Sequence, residues 1–198
     1  MIKDKRFKKF LPLWRSAQTL LKKGAPSDLV HAEEVINFLL SYKGKIKMDL
    51  DIFIPVAMMH DIGHSAILPE HFRYVTGQEK ILNGKLVHML AGAKIARDIL
   101  KQIGYNPKKS AEIVDMISMH DFEQLEGLGG RALYNTVNKK IFHDIDSLDR
   151  FNNKRIKKLF SLNPDKKRLK AYIKDQLKTF FYPEFQSIAA ERFKTLDF

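Results

Sequence analysis

Hydrophobic positions recur at three- and four-residue spacing along most of the chain, the period of amphipathic helices. Phe7, Phe10, Leu11, Trp14, Ala17 and Leu21 form the first such stripe, which ends near Gly24. Pro26-Ser27-Asp28 then opens a second helix running to about Tyr42. Ser27 or Asp28 can cap it, and Val35, Phe38 and Leu39 share one face with His31. His31 is therefore expected to point inward, near the start of that helix. Lys43-Gly44-Lys45 breaks the pattern, and Asp49 or Asp51 restarts it. Pro55 is tolerable there only close to the first turn. Phe53, Val56 and Ala57 precede His60 by seven, four and three residues. That spacing puts His60 on the buried stripe at the helix's C-terminal end.

Residues 65–78 carry Pro69, Gly77 and scattered aromatics without period, which predicts a loop long enough to be functional. A long helix is expected from there to Gly104, with His88, Ala91, Gly92, Ile95 and Ile99 on one face. The small residues beside His88 leave room for a metal or ligand. Asn106-Pro107 caps and starts the next helix, on which Ile113, Met116, Ile117 and His120 share a face. Residues 127–130 predict a second loop. Leu133 to about Phe160 reads as one helix carrying Phe142, Asp146, Asp149 and Arg150 close together. Pro164 opens a lysine-rich helix, and Pro183 separates a final one. No stretch alternates with period two for long enough to predict a strand, and no internal repeat is visible. The expectation is an all-α, single-domain helical bundle over residues 1–198. Its core lies at about residues 20–155, with the N-terminal helix and the basic C-terminal helices packed on it.

Composition narrows the chemistry. The 198-residue chain is 44% hydrophobic and 11% aromatic with 10 Gly and 7 Pro, a globular and not a disordered balance. With no cysteine, disulfides, thiolate metal sites and cysteine nucleophiles are excluded together, so any metal must be held by nitrogen and oxygen. The start of the chain is charged, and the longest wholly apolar run, residues 52–59, is too short to span a bilayer. The expected location is cytoplasmic. Lys and Arg number 35 against 23 Asp and Glu, a net charge of +12. Such a balance favours anionic partners without choosing between nucleotide, nucleic acid and phospholipid. The excess sits at residues 3–9 and 154–178, away from the histidine-bearing segments, and Lys166 to Lys178 read as a solvated helix face.

Four histidines, His31, His60, His88 and His120, fall on the inward faces of four different predicted helices. With Asp61 and Asp146 they are hard to explain as packing, because each would need its own hydrogen-bond partner in an apolar interior. One cluster of divalent ions satisfies all six, since imidazole and carboxylate are good ligands for Zn, Mn and Fe. His71, in an unpatterned loop, and His143, in a second His-Asp pair, are expected to be structural.

The run His60-Asp61-Ile62-Gly63-His64 resembles the signature of the HD-domain superfamily of metal-dependent phosphohydrolases. His31, then His60-Asp61, then Asp144-Ile145-Asp146-Ser147-Leu148-Asp149 match that family's motifs in order, over roughly residues 20–155. The resemblance implies that His31, His60, Asp61 and Asp146 are metal ligands. It further implies that His88 and His120 are the two extra histidines of the dinuclear branches. One or two divalent transition-metal ions, Fe, Mn or Zn, follow as cofactor, with Asp61 bridging two ions about 3.5–4 Å apart and a metal-activated water as nucleophile. Two departures matter. His64 stands where many phosphodiester-cleaving members have a lysine, and it is the candidate acid or phosphate contact, with Arg150 a second candidate for binding substrate. Asp121 replaces a further histidine, and Phe122-Glu123-Gln124 follows in place of a Gly-Tyr-Pro signature, so cleavage of cyclic dinucleotides is not expected.

The expected function is hydrolysis of a small phosphorylated substrate, a nucleotide phosphomonoester or phosphodiester. Two alternatives share the same residues. The superfamily includes di-iron oxygenases with a similar ligand set, which consume dioxygen. A degenerate domain acting as a nucleic-acid or regulatory binding module is the other, disfavoured by the intact ligand set and by the lack of interleaved basic and aromatic motifs. No membrane insertion is expected.

Overall fold

The computed structural model describes residues 2–122, 130–162 and 164–198. Among them are nine α-helices joined by short 3-10 turns, with no strand, so the protein is all-α as the periodicity predicts. The chain forms two compact units, Met1–Tyr134 and Asn135–Phe198.

The first unit is built around α3 (Leu50–Met59), in which every residue from Ile52 to Met59 is buried. A short helix can be apolar all round only if it is enclosed on all sides. The enclosure comes from α1 (Leu11–Lys23), α2 (Pro26–Ser41) and α5 (Pro107–Ile117). The 3-10 turn Ile62–Ala66 continues from α3 and packs on α1 and on the long helix α4 (Gly77–Gln102), which also packs on α5. The predicted starts hold closely: Asp49 caps α3, accepting from Asp51 N–H, and Asn106 caps α5, accepting from Lys109 N–H at 3.1 Å.

Pro55 departs from expectation. It lies inside α3 and not in its first turn. Proline has no N–H, so the carbonyl four residues earlier, that of Asp51, loses its helical donor. The Tyr105 hydroxyl donates to that carbonyl at 2.7 Å, which supplies the missing bond from 54 residues away.

In the second unit, the helix expected from Leu133 to Phe160 is three pieces: α6 (Val137–Ser147), a 3-10 turn Leu148–Phe151, and α7 (Asn153–Leu162). Capping side chains account for the breaks. Thr136 accepts from Lys139 N–H at 3.2 Å, and the extended residue Asn152 accepts from Arg155 N–H at 2.8 Å. Then come α8 (Lys166–Gln176), capped by Asp165, and α9 (Pro183–Lys194). The lysines of α8 are exposed, as expected of a solvated face. The loop expected at residues 127–130 falls largely outside the described residues, as do Glu123 and Gln124 of the departed signature. Among the described residues no helix is long and apolar enough to cross a membrane.

Candidate metal centre

His31 on α2, His60 and Asp61 at the end of α3, His88 on α4 and His120 just beyond α5 converge within the first unit. His60, His88 and His120 are buried, and His31 is half-buried. The ring centroids of His31 and His60 are 5.0 Å apart, those of His60 and His120 5.1 Å, and those of His88 and His120 5.1 Å.

Helical geometry fixes the tautomers. The Nδ1 of His60 lies 3.1 Å from Ala57 O, that of His88 3.2 Å from Gly84 O, and that of His120 2.9 Å from Ile117 O. A carbonyl only accepts, so each Nδ1 is the donor and each Nε2 turns a lone pair toward the centre. Those lone pairs face other acceptors. His88 Nε2 lies 3.3 Å from His120 Nε2, His60 Nε2 is 3.2 Å from Asp61 Oδ2, and His120 Nε2 is 3.4 Å from Asp61 Oδ1. Acceptors aimed at one another need positive charge between them, and a divalent cation supplies it while using every lone pair. The donor set therefore fits a metal.

Among the described residues three groups have their ligand atoms within 4.8 Å of one another: His31, His60 and Asp61; Asp61, His88 and His120; and Asp28, Asp61 and His64. Asp61 belongs to all three. Burial works against its charge, but positive charge beside it, which the His60 and His120 rings carry when protonated, outweighs burial and holds the carboxyl well below the usual range. Burial, helped by the neighbouring His120 and His64, pushes His88 down to about 4, so its ring is neutral at pH 7.

A close backbone contact sets this geometry. Gly92 was expected to leave room for a ligand, yet its space is taken by backbone: the Gly63 nitrogen and Cα lie 3.3 and 3.5 Å from where its Cβ would be. A Cβ on Gly63 would in turn sit 1.8 Å from His88 O and 2.6 Å from Gly92 N. The turn after Asp61 thus docks backbone to backbone on α4, one helical turn from His88.

His64, on that turn, stacks on His88 with centroids 4.4 Å apart. Burial opposes its charge, but the hydrogen bond to Asp28 and the nearby Asp61 raise its pKa above the ordinary value. Sequence alone assigns Asp28 only to capping α2. Asp121 lies 3.8 Å from His88 Nε2 and pairs with Lys85 at 3.2 Å, a second acidic group beside the cluster. The Tyr134 hydroxyl donates to His120 O at 2.7 Å and pins the backbone there.

Asp146 lies on α6 and Arg150 on the following 3-10 turn, both in the second unit, where Arg150 Nη1 donates to Gln176 Oε1 at 2.8 Å. His143 and His71 have structural bonds. His71 Nδ1 accepts from Leu68 N–H at 3.0 Å, and His143 Nδ1 lies 3.0 Å from the wholly buried Asp144. Asp144 also accepts from Phe181 and Tyr182 N–H at 2.8–3.0 Å, bracing the start of α9.

A helical unit that gathers four histidines and an aspartate into overlapping groups has the nitrogen and oxygen donors a divalent ion takes. The family model described as HD domain matches residues 29–150, and the chain belongs to that family of metal-dependent phosphohydrolases. Neither the curated proteins nor the solved structures gave a match.

Proposed function

We propose that the protein hydrolyses a small phosphorylated substrate, a nucleotide phosphomonoester or phosphodiester, at a two-ion centre. The observation that carries this reading is the split of Asp61. Its Oδ2 faces His60, which neighbours His31, and its Oδ1 faces His120, which neighbours His88. One carboxylate between two histidine pairs suits a shared ligand. His31, His60 and Asp61 then hold one ion, and Asp61, His88 and His120 the other. Asp146 is assigned to the set on the family match, which runs through residue 150. When bound, the ions supply Lewis acidity toward phosphate oxygens and an activated water. Asp61 orients both ligand groups, and the tautomer-locked histidines keep their Nε2 lone pairs on the centre. His64 gives a proton to the leaving oxygen, and Arg150 is a candidate contact for the substrate's anionic groups.

The test is elemental analysis followed by a panel of nucleotides and simple phosphoesters with Mn²⁺, Zn²⁺ or Fe²⁺, with and without oxygen. Up to two ions per chain and oxygen-independent phosphate or nucleotide release are expected. Turnover that requires both iron and oxygen overturns hydrolysis in favour of the oxygenase chemistry. Metal binding without turnover of any ester moves the assignment to a binding module.

A further inference from the structure

Asp28 makes a bond that helix capping does not require. It is the third residue of α2, 6% exposed, and its Oδ2 accepts from Ala25 N–H at 2.9 Å, the reciprocal contact of a capping box. The same oxygen accepts from His64 Nδ1 at 2.9 Å, across 36 residues of sequence. Gly24 closes over the pair: a Cβ there would lie 2.9 Å from His64 Cβ and 3.0 Å from Asp28 Oδ2, so this side carries no side chain. His88 stacks on the imidazole face at 28°. The ring is thus held at Nδ1 and across one face, and the nitrogen left for other work is Nε2. The His64 side chain keeps 31% exposure, so the ring is reachable from solvent although its partner is buried.

We propose that Asp28 is a positioning residue: by accepting from Nδ1–H it fixes the orientation of His64, so that in the imidazolium form Nε2 carries the proton delivered to the leaving oxygen of the substrate. This rests on the phosphohydrolase reading above. In the step, water oxygen forms the new P–O bond while the bond to the leaving oxygen breaks with its electron pair. That oxygen takes the Nε2 proton, and the proton shed by water passes to solvent. Nδ1–H stays on Asp28 throughout, as carboxylates that orient a working imidazole do elsewhere.

The experiment is a double-mutant cycle of Asp28→Ala and His64→Ala, assayed with Mn²⁺ on phenyl phosphate, a poor leaving group, and on 4-nitrophenyl phosphate, a good one. Asp28→Ala should lower kcat on phenyl phosphate by about 10–100-fold, the usual effect of losing such a partner. It should have less than about a twofold effect on the good leaving group or in the His64→Ala background, because proton delivery is what a poor leaving group needs. Metal content should match the parent. Long-range proton–nitrogen NMR supplies a readout independent of turnover, with the His64 signals identified by their loss in His64→Ala. The parent should show Nδ1–H, and Asp28→Ala should lose that single tautomer.

Equal losses in both backgrounds, or on both esters, reduce Asp28 to a cap and overturn the proposal. So does an unchanged tautomer. A fall in bound metal overturns it too, making Asp28 a ligand instead, since Asp28, Asp61 and His64 atoms also lie within 4.8 Å of one another. A parent inactive on every ester refutes the phosphohydrolase reading, and the proton-delivery step with it. An active parent with additive variants refutes the positioning role alone.

Discussion

Gly63 decides how near the His60-Asp61 pair comes to His88. Any side chain there meets backbone atoms of α4 at 1.8–2.7 Å, and backbone cannot rotate away as a flexible side chain can. Gly63→Ala should therefore push the turn off α4, lowering the melting temperature sharply and removing metal even though every ligand is retained. Full metal content and parent-like stability in Gly63→Ala would refute this account of the close approach. The ligands themselves make a stoichiometric prediction. His31→Ala should remove one ion, His88→Ala together with His120→Ala the other, and Asp61→Ala both, because Asp61 alone belongs to both groups. Elemental analysis of purified variants checks it, and equal losses from every variant would mean a single ion. These histidines were legible in sequence because each stands on an apolar helical stripe. Gly63 and Asp28 were not, because their partners come from other elements: a glycine beside a histidine looks like space for a ligand until the backbone that fills it is seen.

At the scale of the element, α3 shows why local rules mislead. Its run of apolar residues and its Asp49 cap made it readable, but Pro55 inside it breaks a local rule that the tertiary structure repairs through Tyr105. Burial first, and then the Asp51 carboxylate, push the Tyr105 hydroxyl up to about 12, so it stays protonated and a donor at neutral pH. Tyr105→Phe keeps the ring and removes only that donor, leaving the Asp51 carbonyl without its replacement bond. The expected cost is about 1–2 kcal/mol, that of one part-buried polar group losing its partner. Urea unfolding with an unchanged m-value would report it, and a loss below about 0.3 kcal/mol would show that water serves the carbonyl equally well. The predicted helix from Leu133 to Phe160 failed for a related reason. Apolar spacing continues through Thr136 and Asn152, but both side chains accept backbone N–H groups as caps, so that α6 and α7 each start afresh there. The two His-Asp pairs are alike in sequence and opposite in setting: Asp61 has histidines of three other elements around it, whereas Asp144 is sealed by the N–H groups of Phe181 and Tyr182.

For the whole molecule, the proposed metal centre draws on four segments of the first unit, the regions of α2, α3, α4 and the end of α5. An ion that binds the folded form and not the unfolded chain stabilises it by mass action, about 2.7 kcal/mol at a hundredfold excess over Kd. Adding Zn²⁺ to chelator-treated protein should therefore raise the melting temperature in a concentration-dependent way. The gain should shrink in His88→Ala. Hydrogen exchange locates the effect, because ligation suppresses the local openings through which amides exchange. With Zn²⁺ bound, exchange should slow in α2, α3, α4 and α5, while the lysine-rich α8, which supplies no proposed ligand, keeps its rate. The assignment of Asp146 adds α6 to the slowed helices, although it belongs to the second unit. Slowing in α6 that disappears in Asp146→Ala supports that ligand. Unchanged exchange in α6 at saturating Zn²⁺ removes Asp146 from the set and leaves the centre to the five residues of the first unit, whereas unchanged exchange in α2 through α5 refutes the metal centre as assigned.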